Sequence, residues 1–176
     1  IGNRYPVDVA VTGDAAAALE ALDLLVKPRT DSPWRSRVEE AVQNWHRLAA
    51  ERAATPARPV NPELAVRELS GRLPENAQVA VDVGSVVYWY ARQLRLPAGV
   101  PAHLSSTLAS MGCSIPYGLA AKLSDPARPV VALSGDGAMQ MAGLSELITV
   151  SRLWPRWADP RCVVMVRNNG GLAEGT

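Results

Sequence analysis

Gly135-Asp136-Gly137 closes one apolar run, Pro129-Val130-Val131-Ala132-Leu133-Ser134, and Asn168-Asn169 closes the next, Cys162-Val163-Val164-Met165-Val166. The 30 residues between the two strings are enough for one helix and a return strand. Continuous apolar runs of this length, rich in Val and bounded by turn residues, predict fully buried parallel strands. The ends of parallel strands point the same way, so the Asp and the Asn amide converge at one edge of the sheet. A carboxylate, an amide oxygen and nearby carbonyls are hard oxygen ligands suited to Mg²⁺ or Ca²⁺. A helix predicted to open at Ala138 aims free N–H groups and a positive dipole end at the same place, which favours phosphate. A divalent cation with a diphosphate is the chemistry these residues describe.

The rest of the chain places that edge in a larger pattern. Residues 1–27 predict a loop, a short strand over Val7–Val11 and a helix from Ala15 to Val26 capped by Asp14, together the tail of a preceding domain. Residues 28–60 predict one amphipathic linker helix, with Ser32 as its cap and Pro33 at its first position. Its stripe of Trp34, Val38, Ala41, Val42, Trp45, Leu48 and Ala49 calls for packing on a domain surface. Residues 61–176 alternate in type. A helix from Asn61 to Leu73 is followed by a strand over Gln78–Val83 and a helix over Val86–Leu94. A Pro- and Gly-containing loop then leads to a helix over Met111–Leu123, the two strands quoted above, and a helix over Ala138–Leu153 between them. Alternation of this kind predicts an α/β fold with a doubly wound parallel sheet, preceded by the linker helix. Ligands of such sheets bind beyond the carboxyl ends of the strands. Three such ends are visible, at Asp82-Val83-Gly84-Ser85, Ser134–Gly137 and Arg167–Gly171.

Bulk composition narrows the classes. Hydrophobic residues make up 48% and charged residues 20% of the 176, and the formal net charge is +1. No nucleic-acid footprint or acidic partner is implied. No apolar run is long enough to span a membrane, and no signal-like segment opens the chain, so a cytoplasmic setting is expected. Cys113 and Cys162 sit in apolar surroundings and are expected to be buried free thiols. His46 and His103 are lone histidines without companions, and Glu146 is expected on a helix surface. Asp82 is expected to hold the loop after its strand.

Gly-Asp-Gly followed at this distance by paired Asn resembles the thiamine diphosphate fingerprint. Leu108-Ala109-Ser110-Met111-Gly112, Ile115-Pro116-Tyr117-Gly118-Leu119-Ala120-Ala121-Lys122-Leu123 and Asp125-Pro126-Ala127-Arg128-Pro129 are similar to the segment preceding it in the acetolactate synthase and pyruvate oxidase branch. Ile1-Gly2-Asn3-Arg4-Tyr5-Pro6-Val7-Asp8 with Gly13-Asp14 resembles the end of that branch's central domain. The spacing is at the long end, and Trp154–Pro160 accounts for the surplus as a small insertion. The resemblance implies a thiamine diphosphate-binding domain over 61–176, truncated after the metal loop. It implies Mg²⁺ held by the Asp136 carboxylate, the Asn169 amide oxygen and the Gly171 carbonyl. Gly135, Gly137 and the Ala138 N–H are implied along the diphosphate, with Ser85 either a hydroxyl donor to it or a helix cap. Met111 would be core filling on composition alone. The resemblance makes it the apolar wedge that bends the cofactor, with the backbone of Ala109 and Met111 on the aminopyrimidine; many relatives have Gly where Ala109 stands.

The implied reaction is decarboxylation of pyruvate or a similar 2-oxo acid, followed by ligation or oxidation of the acyl carbanion. Its activating glutamate belongs to a pyrimidine-binding domain that no segment here resembles. That domain is expected from the same or another subunit of a homodimer or homotetramer, with FAD on the central domain in the oxidative branch. This chain therefore carries no expected catalytic residue and is expected to be inactive alone. Two alternatives are a non-catalytic regulatory relative that keeps the fold and a nicotinamide-binding Rossmann domain. The second lacks a third small residue after Gly137, and its next strand ends in Asn rather than an acid.

Overall fold

The two apolar runs are neighbouring parallel strands in the computed structural model, which describes residues 2–29 and 32–171. Ile1 and positions 172–176, which belong to expected segments, lie outside the described residues. The chain forms two compact units, residues 1–45 and 46–176.

In the first unit, helix α1 (Ala15–Asp23) starts where the side chain of Asp14 accepts from the Ala17 N–H at 2.9 Å. Helix α2 (Pro33–Ala54) also begins here, with an exposed Arg35–Glu39 pair one turn apart. The strand expected over Val7–Val11 does not form. Its alternating Val7, Val9 and Val11 are all exposed, and alternation makes a strand only where a partner edge and a covered face exist. Among its described residues the first unit buries none, and Trp34, Val38, Val42 and Trp45 are exposed.

The second unit starts with the last turns of α2, where Ala49 and Ala53 are buried. Asn61 joins that helix to α3 (Pro62–Ser70). Its amide donates to the carbonyls of Arg52 and Thr55 at 2.8 Å each, and its oxygen caps α3 by accepting from the Glu63 N–H at 2.9 Å. One side chain thus satisfies orphan groups at the end of one helix and the start of the next. Glu63 is buried, and its carboxylate meets Arg52 and the amide of Gln93, which also donates to the Ala49 carbonyl.

Beyond α3 come β1 (Gln78–Val81), α4 (Ser85–Gln93), β2 (Ala102–His103), α5 (Ser114–Ser124) and β3 (Val130–Gly135). A helical run follows, α6 (Asp136–Ala138), a π turn over Met139–Gly143 and α7 (Leu144–Leu153), then a 3₁₀ turn and β4 (Cys162–Arg167). All pairings are parallel, in the order β2-β1-β3-β4. Successive residues of a strand face opposite sides, so the sheet has two cores. Val79, Val81, Val131 and Leu133 pack with Val66 and Val86 of α3 and α4. Ala80 and Ala132 pack with Ile115 of α5 and Met139 of the π turn. The expected α/β doubly wound sheet is what forms.

Three boundaries differ from expectation, each for a local reason. Helix α5 opens at Ser114, not Met111, because Gly112 has φ +94° and its N–H turns to a carboxylate instead of a helical carbonyl. The helix after β3 opens at Asp136, two residues early, so the Gly-Asp-Gly string forms the end of a strand and a first helical turn. The two-residue β2, inside the expected loop, forms because Val79 and Ala80 offer β1's open edge.

Two polar centres hold the loops. Asp82, 1% exposed, accepts from the N–H groups of Val83 (2.9 Å), Gly112 (2.7 Å) and Ser114 (3.0 Å), and from the hydroxyls of Ser114 (2.6 Å) and Ser134 (3.3 Å). Lys122, fully buried, donates to the carbonyls of Arg128 and Asp159 and lies 5.3 Å from the centre of the Trp157 ring. Burial pulls its ammonium below the usual lysine range, and Asp159 opposes that pull. It ties the expected insertion to the turn before β3. Both cysteines are free, and burial pushes both thiols up.

Replacing Asp82 with Ala strands several buried donors, so Asp82→Ala is expected to lower stability by about 3 kcal/mol in equilibrium urea unfolding. A Cβ on Gly112 would lie 3.0 Å from the Ala142 Cβ and 3.2 Å from its nitrogen, at a φ that L-residues avoid. Gly112→Ala is expected to cost about 1–3 kcal/mol in the same measurement. Hydrogen bonds from Arg161 hold the half-buried Asp159 carboxyl at about 2. A depressed folded-state value stabilises above the unfolded aspartate value and is lost as pH falls through about 2. NMR titration of the Asp159 carboxyl carbon should give that midpoint, and Arg161→Ala should return it toward 3.8.

Candidate functional site

Parallel register carries the three predicted strand ends to one edge. Gly135 pairs with Arg167 at the last rung of β3 and β4, so Asp136 and Asn168 leave the sheet side by side. The Asp136 carboxylate accepts from the Gly170 N–H at 3.1 Å, across 34 residues of sequence. Asn168 turns its side chain onto the same Gly170 N–H at 2.9 Å, and the Asn169 amide oxygen accepts from the Gly171 N–H at 3.3 Å. Such bonds from an Asn to a backbone N–H two residues on are Asx turns, and Gly170 has the positive φ of +75° that closes the loop. Asp136, Gly137, Gln140, Gly170 and Gly171 line one cavity of about 560 Å³, and Asn168 and Met141 also border it.

Among the described residues Asp136 has one hydrogen bond, which leaves its second oxygen and further lone pairs for a cation. Oxygen donors from a carboxylate, an amide and a backbone carbonyl suit a hard divalent ion. Among the described residues no three His, Cys, Asp or Glu side chains cluster. The Gly137 and Ala138 N–H groups lie in the first turn of the helical run, where a helix leaves its donors unpaired.

The end of β1 forms the second wall. Gly84, with φ +111°, is the residue before α4, and it makes no side-chain cap. Ser85 is the first residue of α4, and its hydroxyl accepts from Arg167 at 2.7 Å. That bond leaves the Ser85 O–H free to donate. A Cβ on Gly84 would lie 3.8 Å from the terminal methyl of Met111, so Met111 reaches the β1 end from the turn before α5 and not from a helix. Ala109 has φ +54°, a left-handed conformation that costs an alanine and suits glycine. Its N–H donates to the Ser105 carbonyl at 3.1 Å, and Ser110 is held by the Ser105 hydroxyl at 3.0 Å.

The structure thus brings Asp136, Gly137 and Gly171 to one cavity, with Gly135 before and Ala138 after the Asp136-Gly137 pair, and sets Ser85 and Met111 at the β1 end. Asn169 lies in the same loop as Gly171 but borders a second cavity on the α3/α4 side. Arg167 was not singled out from sequence, although a cation immediately before the Asn pair was the available signal. Its guanidinium sits 5.1 Å from the Trp89 ring centre, and burial pulls its value down while Asp136 pulls it up. His103 stands at the far edge strand, and among the described residues no helix is long and apolar enough to cross a membrane.

Comparison with known proteins places this geometry. Residues 82–174 match the family described as thiamine pyrophosphate enzyme, C-terminal TPP binding domain. A Bacillus subtilis (strain 168) protein, YdaP, described as thiamine pyrophosphate-containing, is 32% identical over 175 residues, 99% of this chain and 30% of its own length. The pyruvate oxidase of Lactiplantibacillus plantarum is 31% identical over 141 residues, 80% of this chain and 23% of its own. An acetolactate synthase large subunit of Parasynechococcus marenigrum is 31% identical over 173 residues, 96% of this chain and 26% of its own. The chain therefore spans less than a third of the length of these relatives. The match decides against the nicotinamide-binding alternative, since it falls on the strand ends that build the cavity. The chain belongs to the thiamine pyrophosphate enzymes, in the branch of acetolactate synthase and pyruvate oxidase, a family whose cofactors are thiamine diphosphate and Mg²⁺.

Proposed function

We propose that this chain supplies the metal- and diphosphate-binding part of an enzyme that decarboxylates pyruvate or a similar 2-oxo acid. The remaining acyl unit then passes to a second carbonyl or to an oxidant. One observation carries the reading: the Asp136 carboxylate meets the Gly170 N–H at 3.1 Å, which joins the ends of β3 and β4 over a single cavity. The donor set fits the cation, and the unpaired first-turn N–H groups fit the anion beside it.

In this reading the Asp136 carboxylate, the Asn169 amide oxygen and the Gly171 carbonyl hold Mg²⁺. Gly135, Gly137 and the Ala138 N–H line the diphosphate. Ser85 adds its hydroxyl as a donor, because Arg167 occupies the oxygen as an acceptor and Gly84, not Ser85, stands at the cap. Ala109 and Met111 hold the aminopyrimidine side, with Met111 as the apolar support. When bound, thiamine diphosphate supplies the carbanion chemistry, and the protein contributes position and field. The names of the pyruvate oxidase and acetolactate synthase relatives support the substrate class.

The remaining parts follow as proposals. Residues 1–27 end a central domain, 28–60 form a linker helix and 61–176 form the diphosphate-binding domain. The activating glutamate comes from a pyrimidine-binding domain of the same or another subunit, in a homodimer or homotetramer. FAD on the central domain accompanies the oxidative branch.

Calorimetric titration of the full-length protein with thiamine diphosphate tests the reading. Binding is expected to require Mg²⁺, and Asp136→Ala is expected to weaken it about 100-fold, the scale of losing a metal ligand. Mg²⁺-independent binding, or an unchanged affinity in the variant, would sink it.

A further inference from the structure

The cavity at the ends of β3 and β4 is poor in charge. Among the described residues that line it, Asp136 is the sole charged one. Asp82, the acid at the neighbouring strand end, is 1% exposed and keeps both oxygens on donors of its own. Set against the Asp136 charge is a cation from the next strand. Gly135 and Arg167 are partners on the last rung of β3 and β4, so the residue before Asp136 stands opposite the residue before the Asn pair.

Arg167 is half-buried and anchored twice. It donates to the Ser85 hydroxyl at 2.7 Å, and its guanidinium lies 5.1 Å from the Trp89 ring centre. Asp136 acts on it electrostatically, strengthening the guanidinium's hold on its proton against the effect of burial. Water and salt screen a half-buried, anchored charge less than one that is free to swing into solvent.

Such a pair affects the two ligands in opposite ways. A single carboxylate binds a hydrated divalent ion weakly, since Mg²⁺ gives up water reluctantly, and an adjacent fixed cation weakens it further. The same cation favours an anion at the Ser85 hydroxyl, which Arg167 touches. Metal and diphosphate together balance charges that either one alone leaves opposed. Coupling of this kind is reciprocal between the two ligands.

We propose that Arg167 is a specificity-determining residue that makes metal binding at Asp136 conditional on the diphosphate, rejecting the bare cation and admitting the pair. This role rests on the Mg²⁺ and diphosphate assignment of Asp136, Asn169 and Gly171, and adds to it a charge that ligates neither group.

The test separates the two ligands on the full-length protein. Mn²⁺, a paramagnetic ion that takes the same oxygen donors as Mg²⁺, is titrated alone, and its free fraction is read by electron paramagnetic resonance. Thiamine diphosphate is titrated by calorimetry in saturating Mg²⁺. In the native protein thiamine diphosphate is expected to tighten Mn²⁺ binding by about tenfold or more. Arg167→Gln, with a native circular dichroism spectrum, is expected to tighten Mn²⁺ alone several-fold and to weaken thiamine diphosphate about tenfold. A general loss of structure would weaken both. Arg167→Lys, which keeps the charge, is expected to bind Mn²⁺ alone as poorly as the native protein does. Shifts of Arg167→Gln in one direction for both ligands, or no shift, overturn the proposal, as does tighter Mn²⁺ binding in Arg167→Lys. A native protein that holds Mn²⁺ equally with and without thiamine diphosphate overturns it with no variant at all. Failure of the underlying metal and diphosphate assignment shows differently, as thiamine diphosphate binding that ignores Mg²⁺ or survives Asp136→Ala unchanged.

Discussion

The buried carboxylate of Asp82 fixes the geometry of everything around it. It ends β1, and its two oxygens collect donors from the β1 end, the turn before α5 and the end of β3. A buried carboxylate without partners would be costly, so three segments are obliged to stay where their donors reach it. Ser114 contributes both its N–H and its hydroxyl, which places the first turn of α5 directly on that carboxylate. Sequence reading gave Asp82 the lesser role of steadying its own loop. Its partners at Gly112, Ser114 and Ser134 lie 30, 32 and 52 residues away, a reach that no local pattern encodes.

The turn that Asp82 holds is pressed against the π turn on its other side. Gly112 approaches Ala142 so closely that a Cβ has no room, and Gly143 approaches the Met139 sulfur more closely still, at 2.8 Å for an added Cβ. Gly112 therefore lets the α5 entry lie against the helical run after β3, and Gly143, where a Cβ would also stand 3.4 Å from Ile115 of α5, lets the π turn lie close beside it. Widening of the helix at Met139–Gly143 occurs at this point of contact, the kind of place where single π turns concentrate. Met111 leaves the held turn toward Gly84, where an added Cβ would stand in ordinary contact with its methyl at 3.8 Å. The Asp82 carboxylate and Gly112, held 30 residues apart in sequence, thus fix the turn from which Met111 reaches the β1 end.

Legibility followed the range of the forces involved. Strand β3 was readable because burial on both faces demands an unbroken apolar run; β4 has the same kind of run and forms a strand, but as the edge strand it leaves Val163 and Val166 exposed instead of fully buried as expected. Asn61 and Asp14 were readable because capping acts within three residues. The convergence of Asp136 with the Asn loop followed from strand direction alone. Contacts that need tertiary knowledge were not readable: β2 exists because β1 has an open edge, and the π turn lies where Gly112 packs against Ala142. The strand expected at Val7–Val11 had the right alternation and no partner edge. The stripe on α2 predicted the helix correctly, yet Trp34 and Trp45 are exposed, because periodicity reports an apolar face and not what covers it.

Arg167 shows how one residue can link chemistry on both sides of a sheet. It is the last residue of β4, so its backbone aligns with Gly135 while its side chain lies against Trp89 and Ser85 of α4. Asp136 stands close enough to raise the guanidinium's hold on its proton, opposing the effect of burial. The next residue, Asn168, borders both cavities, and the Asx turns that follow leave the loop little freedom to serve one side independently of the other. A lysine in this place would keep the charge but lose the planar fork that reaches the Ser85 hydroxyl while resting on an indole face. The identity of the residue before the Asn pair is therefore a structural constraint on Ser85, and through Ser85 on the start of α4.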